Sequence, residues 1–190
     1  MSGTLATEAT RRRLTARQAD TVRRLTEAGV EEVRESGYEN LSIRDVARRA
    51  GVAPATAYTY FGSKDHLLAE IFWRRLSALP PVADGDDATG RKAGVIAVLR
   101  ELALLVSEEP ELAAGCTAAM FGSEPDVRQL RLQLGKQIHD RIESAAGRGS
   151  PQGRLLELAF FGAMVEAGLG YTTYEHVADR LAEAAELIMD

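Results

Sequence analysis

The sequence lacks the features that mark several common classes of protein. It contains one cysteine, Cys116, so no intramolecular disulfide can form, which fits a reducing cytoplasmic compartment. No apolar run approaches the roughly 20 residues that a membrane-spanning helix needs, and no apolar signal segment follows the N-terminus. Aromatic residues make up only 6% of the chain, which disfavours a pocket built for stacked planar ligands. We therefore expect a cytoplasmic protein that does not act at a membrane.

Residue sets that carry catalysis or bind metals are also missing from the sequence. The glycine-containing segments 147–150 and 168–170 follow no strand pattern, so they do not match dinucleotide-binding or phosphate-binding loops. The acidic segment that begins at Asp84 has Ala88 and Thr89 at the fifth and sixth positions, which does not match a calcium-binding EF-hand loop. The three histidines and the cysteine share no metal-ligand spacing. We therefore expect no enzyme activity, no metal and no cofactor, with an all-helical enzyme as a remote alternative.

Charge is distributed unevenly between two parts of the chain. Residues 1–78 contain 13 Lys and Arg against 10 Asp and Glu, a net charge of +3, whereas residues 79–190 contain 10 against 18, a net charge of −8. A basic part beside an acidic part indicates that the first part meets a polyanion. The overall net charge of −5 argues against a purely architectural DNA protein, which is expected to be basic overall.

Apolar residues recur at helical spacing along the chain, which predicts an all-α fold of about nine helices. The predicted helices cover about residues 16–36, 42–50, 54–60, 64–78, 91–107, 110–121, 124–146, 151–170 and 174–189. Gly37 ends the first helix, because glycine readily adopts the left-handed conformation that follows a last helical turn. Gly51 allows a sharp turn between the second and third helices for the same reason. Ser42 and Ser63 are predicted N-caps of the second and fourth helices.

The second and third helices form a predicted helix-turn-helix, whose second helix enters the major groove of DNA. The third helix, residues 54–60, combines small side chains, which allow close approach, with hydroxyl groups that can contact bases or phosphates. Arg44, near the start of the preceding helix, can hydrogen-bond to a guanine edge. An ammonium group at a helix start, as at Lys64, is unfavourable for the helix dipole and favours a phosphate contact. Core packing is the alternative for Tyr58.

The stretch "LSIRDVARRAGVAPATAYTYFGSKDHLL" resembles the DNA-binding domain of the TetR family of bacterial transcriptional repressors. The likeness covers about residues 20–70. Gly29 and Glu32 depart from it, because they stand where the family usually has apolar residues, and we expect them to loosen the first helix. By similarity, Arg44, Thr56, Tyr58 and Thr59 would contact bases, Tyr60 and Lys64 would contact phosphate, and Ala53 and Ala55 would line the end that faces the groove.

The resemblance implies a homodimer in which each chain has a DNA-binding head and a helical body that binds a small molecule. We take residues 16–63 as the head and residues 64–190 as the body, for ligand binding and dimerisation, with the helix at 64–78 connecting the two. Residues 1–15 would form a flexible basic arm that contains the arginine run 11–13. Whether this arm contacts DNA stays open.

Two surfaces of the body can be predicted from the pattern of apolar and small residues. Residues 155–171 are apolar nearly all round, which indicates a helix buried on most sides, and small residues at three-to-four spacing allow another helix to approach closely. The predicted dimer interface consists of Ala159, Gly162, Ala163, Glu166, Gly170, Val177, Leu181, Ala184 and Ile188, with an intramolecular core as the alternative. The predicted ligand pocket, mostly apolar, consists of Leu102, Leu105, Cys116, Met120, Phe121, Leu134, Phe160 and Met164.

Taken together, the residues and the resemblance predict a sequence-specific DNA-binding regulator. The resemblance implies a repressor that is released from an inverted-repeat operator by a small apolar or amphipathic effector. A DNA-binding regulator without a small-molecule ligand, or one that activates transcription, is the alternative.

Overall fold

A computed structural model describes residues 15–82 and 87–189, and these residues form nine α-helices and no strand. The helices are α1 (Ala16–Asn40), α2 (Ile43–Ala50), α3 (Pro54–Tyr60), α4 (Lys64–Ala78), α5 (Ala88–Ala103), α6 (Pro110–Met120), α7 (Pro125–Ala146), α8 (Pro151–Gly168) and α9 (Tyr174–Ile188). The prediction of an all-α fold with about nine helices is confirmed. The predicted basic arm, apart from Thr15, lies outside the described residues, and so does Asp84 of the acidic segment.

Local capping interactions set the ends of the first helices. Thr15 and Gln18 form a capping box at the start of α1, in which the Gln18 amide donates to the Thr15 hydroxyl at 3.3 Å. Gly37 has a φ of +75° and interrupts α1 at the predicted position, although helical turns continue to Asn40. The Ser42 hydroxyl caps α2, and Gly51, with a φ of +65°, ends it.

Two hydrophobic cores share the helix α4. The first is built by α1, α2, α3 and α6 and includes Leu67, Leu68 and Ile71 of α4. The second is built by α5, α7, α8 and α9 and includes Trp73 and Leu76 of α4. Because α4 contributes to both cores, the connecting helix is packed firmly on each side. The helix α6, which was predicted to belong to the body, packs against α1 and α4 and joins the first core.

The two departures from the family pattern in α1 have clear structural reasons. A Cβ atom at Gly29 would lie 2.9 Å from the Leu67 Cδ2 atom, so glycine allows α1 and α4 to approach closely. The carboxylate of Glu32, a residue only 8% exposed, accepts a hydrogen bond of 2.8 Å from the Arg49 Nε atom. A buried carboxylate needs such a partner, and this ion pair joins α1 to α2. Both residues therefore make close contacts between α1 and a neighbouring helix; that they loosen the first helix stays a prediction.

Residues 15–82 and 87–189 contain neither a candidate membrane-spanning helix nor a candidate metal-binding cluster. None of the helices there combines the length and the apolar character that crossing a bilayer requires. The same residues include no group of three or more His, Cys, Asp or Glu side chains placed to hold a metal ion.

The contact between α7 and α8 includes a histidine that makes stability depend on pH. His139 Nδ1 lies 2.8 Å from the Glu157 carboxylate of α8, and the hydrogen bond to Glu157 raises the pKa of His139, with smaller contributions from Glu143 and Asp140 of α7. A raised folded-state pKa stabilises the fold below the unfolded pKa of about 6.5, and this stabilisation is lost as pH rises through the folded-state value.

We expect wild-type protein to lose more stability between pH 6 and pH 8 than a His139→Gln variant does. Because the His139 side chain is 43% exposed, the difference should stay below about 1 kcal/mol. Urea unfolding at the two pH values measures it. An identical pH dependence in the two proteins would contradict the expectation.

Candidate DNA-binding surface and ligand cavity

The helix α3 presents most of the predicted DNA contacts on one exposed surface. Ala53, Ala55, Thr56 and Thr59 are exposed, Tyr58 is 50% exposed, and Tyr60 is partly buried. Ala57 points the other way, is fully buried and joins the first core. Ala57 and, at the end of α3, Phe61 hold the helix against the first core, and Tyr60 packs partly against it. The other predicted side chains on this surface stay exposed. The alternative that Tyr58 packs in the core does not hold.

Contacts from α1 fix the turn that positions α3. The Arg24 guanidinium donates to the carbonyl oxygens of Ala50 and Gly51, the second at 3.3 Å. The Val52 amide donates to the Ala47 carbonyl at 3.0 Å. The turn between α2 and α3 is therefore held both by its own backbone and by a side chain from another helix. Arg44 is exposed near the N-terminal end of α2, whereas this turn follows the C-terminal end of the helix.

A polar groove of about 430 Å³ separates the N-terminal half of α1 from α3. It is lined by Arg17, Gln18, Asp20, Thr21, Arg24, Gly51, Val52, Ala53, Thr56 and Tyr60. The α1 side of this groove was not predicted from the sequence. The spacing of Arg17, Thr21 and Arg24, which places them on one helix face, was the available signal.

Lys64 has a structural role at the junction of α1 and α4. Its ammonium donates to the carbonyl oxygens of Tyr38 at 2.9 Å and Glu39 at 3.2 Å, and lies 4.1 Å from the centroid of the Tyr38 ring. The Tyr38 hydroxyl donates to Asp65 at 2.7 Å, and burial together with this hydrogen bond raises the pKa of Tyr38 to about 12. An ammonium group has three donors, so one remains for a phosphate. The phosphate contact of Lys64 stays a prediction.

An apolar cavity of about 230 Å³ lies among α4, α6, α7, α8 and the start of α9. Six of the eight predicted pocket residues line it, namely Cys116, Met120, Phe121, Leu134, Phe160 and Met164. The structure places the other two elsewhere. Leu102 is buried in the second core and Leu105 packs against that core, because α5 faces α7 and α9.

Further lining residues were not predicted: Phe72, Val106, Ala113, Thr117, Arg131, Gly135, Ile138, Phe161, Val165 and Tyr174. Four cavity residues on α7, from Arg131 to Ile138, follow helical spacing, which was a usable signal. Phe72 and Tyr174 reach the cavity from distant parts of the sequence. Burial raises the pKa of the Cys116 thiol to about 12, so this side chain is a neutral, nearly apolar group at neutral pH.

Comparison with known proteins agrees with this arrangement. The family described as bacterial regulatory proteins, tetR family, matches residues 25–71. An HTH-type transcriptional regulator of Mycobacterium tuberculosis is 46% identical over 177 residues, which cover 91% of this chain and 82% of that protein. This chain belongs to the TetR family. It is therefore a DNA-binding transcriptional regulator.

Solved structures share the fold of this TetR-family protein. A TetR transcriptional regulator from Rhodococcus sp. RHA1 superposes with a TM-score of 0.71 at 21% identity, covering 92% of this chain and 97% of that one. The regulator FadR from Bacillus subtilis, in complex with stearoyl-CoA, gives a TM-score of 0.59 at 18% identity, covering 88% and 97%. Both pairs of chains therefore share the arrangement of a helix-turn-helix head and a helical body.

The predicted dimer residues of this TetR-family protein lie along a groove between α8 and α9, of about 290 Å³. Seven of the nine line it, while Gly170 and Ile188 do not. Val177 and Leu181 are only 2% and 3% exposed and belong to the second core, so the intramolecular alternative holds for these two residues. The groove leaves the small residues of α8 accessible.

A second apolar face of α8 was not predicted from the sequence. Leu155 is 57% exposed, Leu158 72%, Val165 39% and Leu169 59%, with the exposed Gly162 between them. Their spacing alternates between three and four residues, which is the pattern of a helix that packs along another helix. Soluble monomers rarely leave such a continuous apolar face in water.

Proposed function

We propose that this TetR-family protein is a dimeric repressor that leaves an inverted-repeat operator when a small apolar or amphipathic molecule occupies the cavity. The observation that carries the proposal is that α6 belongs to the cavity wall and to the core of the DNA-binding head at once. A molecule that enters the cavity therefore acts on a helix in direct contact with the head.

The contacts of α6 leave little room for independent movement. Ala113 and Cys116 line the cavity and also belong to the first core. A Cβ atom at Gly115 would lie 2.9 Å from the Leu68 Cδ1 atom and 3.4 Å from the Tyr38 Cδ2 atom, so α6 lies close against both α4 and α1. A displacement of α6 is thereby passed to the two helices that position α3.

The connecting helix α4 provides a second route. Phe72 lines the cavity, whereas Leu67 and Leu68, just over one turn earlier, pack in the first core. DNA requires two heads spaced for successive major grooves, about 34–36 Å apart. A ligand that favours another spacing weakens DNA binding, and by linkage DNA weakens ligand binding equally, typically by about 1–3 kcal/mol.

The stearoyl-CoA complex of FadR supports a ligand with an apolar chain, since that structure shares the fold of this protein. The cavity wall is also mostly apolar, with Thr117, Tyr174 and Arg131 as its main polar side chains. An amphipathic molecule fits this lining, because its apolar part displaces water from the wall.

The exposed face of α8 supports dimerisation, and Leu158 is its most exposed residue, at 72%. We expect Leu158→Glu to convert the dimer into a monomer, because a carboxylate in an apolar interface loses its water without gaining a partner. Sedimentation at micromolar protein concentration measures the mass. Leu132→Glu is the matched control, since Leu132 is 68% exposed on a different helix, α7, and should leave the dimer intact. A dimer that persists in the Leu158 variant would place the interface elsewhere.

Selection from a random-sequence DNA library tests the proposed repressor. Purified protein is incubated with the duplexes at moderate salt, and the retained DNA is sequenced. Enrichment of one inverted repeat is expected, and its half-site spacing gives the distance between heads. If no sequence is enriched and the retained DNA is simply lost as salt rises, the protein contacts phosphate alone, and the proposal would be overturned. Binding that requires an added small molecule would overturn release by ligand.

A further inference from the structure

The cavity wall contains one permanently charged side chain. Arg131, Leu134, Gly135 and Ile138 form the stripe of α7 that lines the cavity. Three of these residues are apolar or small, so Arg131 stands at the N-terminal end of an otherwise apolar strip. Phe121, a neighbour in the lining, is 64% exposed, which places the opening of the cavity on this side.

Backbone carbonyl groups hold the Arg131 guanidinium in place. Its Nη1 atom donates to the carbonyl oxygen of Met120 and, at 3.2 Å, to that of Gly122. Both carbonyls lie at the C-terminal end of α6, where the helix dipole favours a cation. Because Nη1 makes both bonds, the Nε and Nη2 donors are left for another acceptor.

Arg131 differs in its partners from three other arginines of the body. Arg75, Arg100 and Arg141 each form an ion pair with a carboxylate. Among residues 15–82 and 87–189, no carboxylate forms an ion pair with Arg131. Carbonyl groups compensate a full positive charge only in part, so a partly buried cation without an anionic partner is unfavourable. An anion at this point of the cavity would be stabilised.

We infer that the effector carries an anionic group, a carboxylate or a phosphate, that binds Arg131 while its apolar part fills the cavity. This inference rests on the proposed function, since it names the chemistry of the ligand for the same site. A planar guanidinium held in advance matches the two oxygens of either anion. The cavity of about 230 Å³ is smaller than the roughly 300 Å³ at which drug-sized pockets begin. The buried part is therefore a short chain or a compact ring, and any larger remainder of the molecule stays outside the opening.

Three probes with the same chain length test the inference by titration calorimetry: octanoate, octan-1-ol and octanoyl-CoA. Octanoate is expected to bind wild-type protein more tightly than octan-1-ol. Arg131→Met is expected to lower the affinity for octanoate by about 10- to 100-fold, as for loss of a charged hydrogen bond. It should leave the affinity for octan-1-ol unchanged. The unchanged alcohol binding also shows that the variant is folded with its cavity intact.

Two further variants make the result specific to the cavity. Arg128→Met removes the same charge from an exposed position one turn earlier on α7 and should change none of the affinities. Gly135 lines the cavity with nothing within 4 Å of an added Cβ atom, so Gly135→Leu places a side chain in the cavity and should block the probes. If octanoyl-CoA binds most tightly with the same dependence on Arg131, the anion is a phosphate rather than a carboxylate.

Two results would overturn the inference of an anionic ligand: equal affinity of the wild-type protein for octanoate and octan-1-ol, or an equal loss of affinity for both in Arg131→Met. Neither result would contradict the proposed repressor or its cavity. Failure of all three probes to bind wild-type protein would overturn the inference too. The proposed repressor is judged separately, by the inverted repeat recovered in the DNA selection.

Discussion

Replacing Phe61 with alanine is expected to lower the free energy of unfolding by about 3–5 kcal/mol, the usual effect of removing a buried aromatic ring. Phe61 is fully buried where α3 ends, and its ring packs edge-on against His66 of α4 at 5.5 Å between centroids. Domains of this size are stable by only about 5–15 kcal/mol. The variant should therefore unfold at much lower urea concentration and lose DNA binding with its head.

Tyr58→Ala is the matched control, because it removes an aromatic ring from the same helix at a position that is 50% exposed. We expect it to change the free energy of unfolding by less than about 1 kcal/mol. Equilibrium urea unfolding, followed by circular dichroism, compares both variants with the wild type. Similar losses in the two variants would mean that Phe61 does not anchor α3.

Arg44→Ala is expected to reduce affinity for the selected inverted repeat by about 10- to 100-fold while it barely changes stability. The reason is that Arg44 is exposed on α2, the first helix of the helix-turn-helix, and a good contact between arginine and a guanine edge discriminates by about 1–3 kcal/mol. Fluorescence anisotropy with the selected duplex and with a scrambled duplex measures both affinities. The loss on the scrambled duplex should be smaller, because phosphate contacts do not depend on sequence.

A charge-matched control separates base contact from general electrostatics. Arg128→Ala removes one positive charge from an exposed position on α7, in the body. It should not appreciably weaken the binding of either duplex. If Arg44→Ala reduced the affinity for both duplexes by the same factor, Arg44 would contact phosphate. The base contacts would then come from α3 alone. In that case the selected sequence would be equally preferred by the variant.

The head was predictable in detail because its structure follows from neighbouring residues. Ser42 and Ser63 cap helices within three residues of themselves, and Gly51 turns the chain by its own left-handed conformation. The small and hydroxyl side chains of α3 can be identified directly from the sequence, and they are the groups that this short helix can present to DNA. These local signals do not depend on how distant parts of the chain pack.

The body shows what neighbouring residues do not determine. Leu102 and Cys116 are both apolar residues at helical spacing, yet one packs in the second core and the other lines the cavity. Val177 was predicted for a dimer interface and is buried within its own chain. Which face of an amphipathic helix meets which neighbour depends on contacts between residues far apart in sequence, and helical periodicity carries no information about the partner.

The sequence by itself therefore determined an all-helical chain with a helix-turn-helix, whose second helix is exposed and is predicted to contact DNA. Only the tertiary structure decided that α6 packs with the head while it lines the cavity, and that Arg131 enters an otherwise apolar wall. The physical reason is that caps and turns are stabilised by local hydrogen bonds, whereas cavities and shared cores arise from the packing of distant helices.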